Sequence, residues 1–297
     1  MPDAVRTRQI EANGLTFTID EVGDGDKVAL FLHGFPESRH SWRAQLPVVA
    51  AQGWRAVAPD LRGYGQSSRP KARGAYHLHH LVADAAALFD ALGARRRLLI
   101  AHDWGAVIAW AFALEQARPL DGLVIMNVPH PSAYLAQLRK SSEQLRKSWY
   151  VLFFQLPWLP EALLTAGHAK AVGDSFTGTA VDPSRFAPEI IAHYRDNACI
   201  PGAMTAMINY YRANAASLNR WAPGQAPVIE VPTLIEWGER DPFLSVDLLD
   251  EHPGLVSDLT IERFPNVSHW VQQEAPEAVN AALIAWMAAK GLAASAP

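Results

Sequence analysis

One cysteine, Cys199, stands in 297 residues, which excludes an intrachain disulfide framework and fits a reducing compartment. With no His or acid beside it, Cys199 reads as small apolar filler near a helix and not as a reactive thiol. Basic charge is not in surplus either. The 26 Lys and Arg face 30 Asp and Glu, a formal net charge of −4, and Arg95-Arg96-Arg97 is too short and isolated to form a nucleic-acid stripe. No apolar run reaches membrane-spanning length, and no basic start followed by an apolar stretch precedes Gln9. A soluble, cytoplasmic protein without nucleic-acid or membrane partners is therefore predicted. His77, His79 and His80 lack the clustered cysteines or acids of a metal site and read as an exposed helix start, so neither metal nor cofactor is expected. Internal repeats and low-complexity segments are absent, and monomer and homodimer both stay open.

What is abundant is apolar residues, 49% of the chain, ample for a buried core. Arg8 to Ala12, Thr16 to Glu21, Val28 to His33, Arg55 to Asp60, Leu98 to His102 and Leu123 to Asn127 read as strands. They alternate with helical patterns at Ser41 to Ala51, His77 to Leu92 and Trp104 to Gln116, the βα rhythm of a mostly parallel sheet. From Pro129 to about Pro227 strand signals vanish. Tyr, Trp, Phe and Met accumulate there among helical periodicities broken by Pro157, Pro160, Pro183, Pro188 and Pro201. The βα pattern resumes at Val231 and closes on a helix at Glu277 to Ala289, with a frayed tail expected after Gly291. The division is thus a core over 1–128, an inserted helical cap over 129–227, and the rest of the core over 228–297.

Three apolar runs end in chemistry-bearing residues. Leu98 to Ala101 leads into His102-Asp103-Trp104-Gly105, a small-x-Asp-x-small turn before an amphipathic segment, the context in which a G-x-S-x-G elbow lifts a nucleophile above a sheet. An aspartate there is already ionised at neutral pH, whereas a serine must first lose its proton, so a histidine is left free for a second step. Val231 to Trp237 closes on Asp241, and Leu259 to Phe264 leads through Pro265-Asn266-Val267-Ser268 to His269. The order nucleophile, acid, histidine is that of α/β-hydrolases. Upstream, Val28 to Leu32 breaks into His33-Gly34-Phe35-Pro36, whose backbone can donate hydrogen bonds.

These segments, with Ala58-Pro59-Asp60-Leu61-Arg62-Gly63-Tyr64-Gly65-Gln66-Ser67, Asn127-Val128-Pro129-His130-Pro131 and Trp237-Gly238-Glu239-Arg240-Asp241, make the chain resemble an α/β-hydrolase of the epoxide hydrolase branch over nearly its full length. Haloalkane and haloacetate dehalogenases are related. Ala101 departs from the usual glycine. The resemblance implies an α/β-hydrolase fold and two cap tyrosines that activate an epoxide oxygen. Trp149-Tyr150-Val151 resembles the first tyrosine segment, and Asn209-Tyr210-Tyr211-Arg212 resembles the second, selecting Tyr211. Helical spacing agrees: Met204, Met207, Ile208 and Tyr211 fall at i, i+3, i+4 and i+7. Tyr210 lies about 100° away. Tyr150 shares a face with Phe153 and Phe154, so Met204, Met207, Ile208, Phe153 and Phe154 are expected to line the pocket.

The implied reaction is attack of Asp103 on an apolar epoxide, with Tyr150 and Tyr211 on the ring oxygen. His269, oriented by Asp241, then activates water, and the Phe35 and Trp104 N–H groups receive the oxyanion. A vicinal diol is the product. A dehalogenase would use the same acid and base, and the Trp104 indole could face a halide. Phe35, however, stands where many haloalkane dehalogenases have asparagine, and the segment after Asp103 has no arginine to grip a haloacetate. A ligand-binding homologue without turnover is a further alternative. A serine esterase is disfavoured, because Ser67, Ser68 and Ser268 lack elbow spacing. His33 reads as structural, and His102 as turned away from the pocket. Glu236 inside an apolar strand either faces a polar partner or carries a pKa raised by burial.

Overall fold

The computed structural model describes residues 4–294 apart from 216 and 253. The described residues form one sheet of strands β1 (Arg6–Ala12), β2 (Leu15–Val22), β3 (Lys27–Leu32), β4 (Arg55–Pro59), β5 (Arg96–His102), β6 (Gly122–Met126), β7 (Thr233–Gly238) and β8 (Leu259–Phe264). Their order is β1-β2-β4-β3-β5-β6-β7-β8. Asn13 and Gly14, both at positive φ, make the two-residue turn of the β1–β2 hairpin, since Ala12 pairs with Leu15. β2 meets β4 antiparallel, and every pairing from β4 to β8 is parallel. β5 and β6 read as near-continuous apolar runs because both faces of the sheet are covered.

Helices α1 (Leu46–Ala50), α2 (Leu78–Ala91) and α3 (Trp104–Leu114) cross between the early strands. Six more separate β6 from β7: α4 (Pro131–Lys140), α5 (Ser142–Lys147), α6 (Trp149–Phe153), α7 (Leu159–Thr177), α8 (Pro188–Cys199) and α9 (Ala203–Ala213). The short α10 (Val271–Glu274) and α11 (Pro276–Ala289) follow β8. Leu81, Phe89, Trp110 and Phe112 of α2 and α3 fill one face of the sheet. Leu46, Val49, Leu283 and Trp286 of α1 and α11 fill the other.

Three expectations need correction. The helix read over Ser41 to Ala51 is a 3-10 turn, Arg39–Trp42, followed by the separate α1. Pro47 has no N–H for an i−4 carbonyl, so a continuous helix cannot run through it, and α1 restarts with this proline in its first turn. Cys199 ends α8 exposed and is no core filler. The tail does not fray at once after Gly291: Leu292 is buried, and its carbonyl accepts from Trp54 Nε1 at 2.6 Å. Residues 295–297 lie outside the described residues.

Topology positions the site. The connection leaving β3 runs to β4 on one side, and the one leaving β5 runs to β6 on the other, which opens a crevice at the carboxyl ends of these adjacent strands.

Candidate active site

Asp103 sits between β5 and α3 with φ 48° and ψ −121°, a left-handed backbone that a residue with a Cβ adopts only under constraint. The constraint is crowding. A Cβ on Gly105 would lie 2.0 Å from the Leu32 carbonyl oxygen, and one on Gly34 would lie 2.3 Å from Asp103 Cβ, so only glycines let the two strand ends approach this closely. The Phe35 N–H donates to Asp103 Oδ1 at 2.7 Å. Trp104 opens α3, where the N–H has no acceptor within the helix. Asp103 Oδ2 is 3.6 Å from His269 Nε2, and His269 Nδ1 lies 2.6 Å from Asp241 Oδ2. Asp241 is held in turn by the Phe243 and Leu244 N–H groups, at 2.7 and 3.0 Å, and by Asn127 Nδ2 at 2.8 Å. The three residues foreseen as nucleophile, base and orienting acid therefore meet, each from a different strand end.

Their charges reinforce one another. Burial opposes the charged imidazolium, but the charge of Asp241, then the contacts with Asp103 and Asp241, push the His269 pKa up to about 10. Burial alone would raise Asp103. The His269 contact and charge outweigh it and hold the carboxyl below its usual value. In the unreacted protein the pair is an ion pair.

A second buried acid–imidazole contact lies behind the first. His102 Nδ1 is 2.8 Å from Glu37 Oε2, and His102 Nε2 is 2.9 Å from the His269 carbonyl oxygen, so each ring nitrogen faces an acceptor and the ring is turned from the cavity. Glu37 also accepts from the Gly34 N–H, Gln272 and Gln273 at 2.9, 2.8 and 2.7 Å. His33 is structural: its Nε2 accepts from the Leu61 N–H at 3.1 Å.

A cavity of about 350 Å³ opens above Asp103, lined by Trp104, Val107, Trp110, Leu135, Leu138, Val151, Leu152 and Leu244 together with Tyr134, Tyr150 and Tyr211. The Tyr150 and Tyr211 rings stand 5.9 Å apart, nearly perpendicular. Burial first, and the charge of Asp103 next, raise both phenols well above their usual pKa, so both remain proton donors. The Tyr210 hydroxyl is already committed to the Arg62 carbonyl at 2.7 Å, on the other side of α9. Tyr134 contacts Ser148 Oγ at 3.0 Å. The expected lining residues Met204, Met207, Ile208, Phe153 and Phe154 are not in the cavity wall. Met204, Met207 and Ile208 are buried in the main apolar cluster, because the stripe they share with Tyr211 turns inward along most of α9. Phe154 packs behind the site, with its ring 4.9 Å from Tyr211 and 5.4 Å from Phe35, and Phe153 lies against Trp149 with the rings tilted.

The family described as "alpha/beta hydrolase fold" matches residues 28–276. The chain belongs to that family. Among curated proteins, this alpha/beta hydrolase is similar to "Epoxide hydrolase 3" of Xenopus tropicalis, 38% identical over 87% of this chain and 71% of that protein. It is similar also to "Epoxide hydrolase 4" of Homo sapiens, 35% identical over 92% and 75% of the two chains. Among solved structures, a Bacillus megaterium epoxide hydrolase in complex with an inhibitor superposes with a TM-score of 0.87 at 28% identity, covering 95% of this chain and all of the other. The hydrolase has no serine in the nucleophile's place: Ser67 Oγ donates to the Asp60 carbonyl, Ser68 Oγ accepts from the Thr16 N–H, and Ser268 Oγ bonds Glu274. Sequence reasoning missed the roles of Glu37 and Phe243 in this alpha/beta hydrolase. Phe243 supplies an N–H to Asp241 and lays its ring 5.2 Å from His269. Glu37 follows the H-G-F-P turn directly and precedes Ser38, Arg39 and His40, so nothing in its sequence surroundings set it apart.

Proposed function

We propose that this alpha/beta hydrolase opens apolar epoxides to vicinal diols through an ester on Asp103. Residues 129–227 serve as a cap that brings two phenols over a carboxylate held by the sheet. The observation that carries the reading is that Tyr150 and Tyr211 line the same apolar cavity as Asp103, both as proton donors. A carboxylate alone cannot open a strained ether, because the departing oxygen needs a proton.

In this mechanism Asp103 Oδ2, the oxygen not occupied by the Phe35 amide, attacks an epoxide carbon. The ring C–O bond breaks, and one phenol delivers its proton to the oxygen while the other holds it. Esterification removes the charge of Asp103, one of the two that keep His269 protonated, so the imidazole pKa falls, its proton passes to the phenolate, and the neutral ring can take a proton from water. Hydroxide adds to the Asp103 carboxyl carbon, and the Phe35 and Trp104 N–H groups receive the oxyanion, a contribution of about 3 kcal/mol per donor elsewhere. Collapse cleaves the ester, the departing alkoxide takes the proton of the regenerated Asp103 carboxyl to complete the diol, and the Asp103 carboxylate, protonated His269 and both phenols stand as at the start.

The test is mass spectrometry of His269→Gln mixed with aryl epoxides and, separately, haloalkanes. A stable adduct on the Asp103 peptide from epoxides only, with diol formed by the unaltered enzyme, supports the reading. Chloride release with no diol would transfer the site to dehalogenation, and ligand retention without product would make it a binding protein.

A further inference from the structure

Helix α6 and the turn after it are apolar on both sides, and Leu145 of the otherwise polar α5 extends the outer one. Val151 and Phe154 turn inward with Tyr150, yet Leu145, Trp149, Leu152 and Leu156, at i, i+4, i+7 and i+11, turn outward. Their exposures are 59%, 63%, 72% and 44%, and Trp158 beyond them is 72% exposed. A surface helix normally keeps this face polar, so a contiguous apolar stripe marks a contact surface. The charge around it runs against the net charge of the chain. Arg139, Lys140, Arg146 and Lys147 flank the stripe with Glu143 as the one acid between them. Lys140 is paired with Glu251 and Lys147 with Glu143, but Arg139 and Arg146 have no ion pair among the described residues. Trp149 shares a shallow depression with Arg146 and Lys147. Leu145 and Leu152 belong at once to the exposed stripe and to the wall of the cavity above Asp103.

We infer that this face is a peripheral docking surface for an anionic lipid bilayer, into whose interface Trp149 and the leucines insert while Arg139 and Arg146 meet the headgroups. Tryptophan and leucine beside arginine are the residues that favour this boundary. A second copy of the chain fits less well, because a two-fold contact through the stripe would set the arginines of one protomer against those of its partner. Seated in this way, the cavity mouth at Leu145 and Leu152 faces the lipid, and a lipophilic epoxide passes to Asp103 without crossing water. That route rests on the reaction proposed above; the docking does not.

Flotation of the intact chain with vesicles, in the absence of any epoxide, tests the docking. Vesicles containing roughly one third phosphatidylglycerol are expected to carry the protein, and phosphatidylcholine alone or raised salt to carry much less. Arg139→Gln and Arg146→Gln should each weaken binding about five-fold. Trp149→Ser should remove the shift in tryptophan emission on adding vesicles, while activity on a water-soluble epoxide, measured without vesicles, stays unchanged. Absence of flotation, or flotation indifferent to all three substitutions, overturns the proposal. So does light scattering that finds a dimer which Trp149→Ser converts to monomer.

Discussion

Tyr210 and Tyr211 are neighbours in sequence and opposites in environment, and the difference is measurable. Removing the Tyr211 hydroxyl (Tyr211→Phe) is expected to lower kcat/KM for epoxide opening by about 10²- to 10⁴-fold with little effect on stability, and Tyr150→Phe by a similar factor. Tyr210→Phe, which loses the bond to the Arg62 carbonyl, should leave kcat unchanged and cost about 1 kcal/mol in denaturant unfolding. His269 gives a kinetic prediction. Since Asp103 and Asp241 together push it up to about 10, single-turnover ester formation should stay constant across neutral pH. Ester hydrolysis, which requires the neutral imidazole beside an uncharged ester, should rise with pH. Rapid-quench measurements of the two steps separate these behaviours.

Strands that end in chemistry were the most legible elements. β5, β6 and β7 carry near-continuous apolar runs because a parallel sheet buries them, β8 alternates as the half-exposed edge, and the residues after β5, β7 and β8 fall at the carboxyl end. That is why Asp103, Asp241 and His269 could be named from order and spacing. Helices were less legible. The stripe Met204, Met207, Ile208, Tyr211 has correct helical spacing, but spacing does not tell a pocket wall from a core contact, and α9 buries most of it. The outward stripe of α5 and α6 was hidden for the same reason. β7 carries an anomaly that sequence left open. Both Glu236 carboxyl oxygens are buried without a hydrogen-bond partner among the described residues, in register with Met126 and Glu262, and burial first, with Glu262 second, raises the acid well above its usual pKa. An unfolded chain releases this proton above about pH 4.5 while the folded one keeps it, so stability falls as pH rises through that window. Glu236→Met should therefore raise stability by about 1–2 kcal/mol near pH 8 and by less near pH 4.5, read from urea curves at the two pH values.

For the whole molecule, the paired charges at the centre set a window of stability. His269 binds its proton more tightly folded than unfolded, so its contribution is complete below about pH 6.5 and is lost as pH rises toward 10. Asp103 behaves in reverse: its contribution is present above about pH 4 and fades as pH falls through its lowered value. The alkaline decline in Tm should accordingly flatten in His269→Gln, and calorimetry from pH 6.5 to 10 checks it. Asp103 also occupies a backbone conformation that suits glycine, at a cost on the order of 1–3 kcal/mol. Asp103→Gly and Asp103→Asn both remove the charge, yet only the glycine relaxes the turn, so the glycine form should melt higher by several degrees. Selection for robustness and selection for turnover thus pull this one position in opposite directions. A descendant that decayed to glycine there would outlast its active ancestor in heat while transforming nothing.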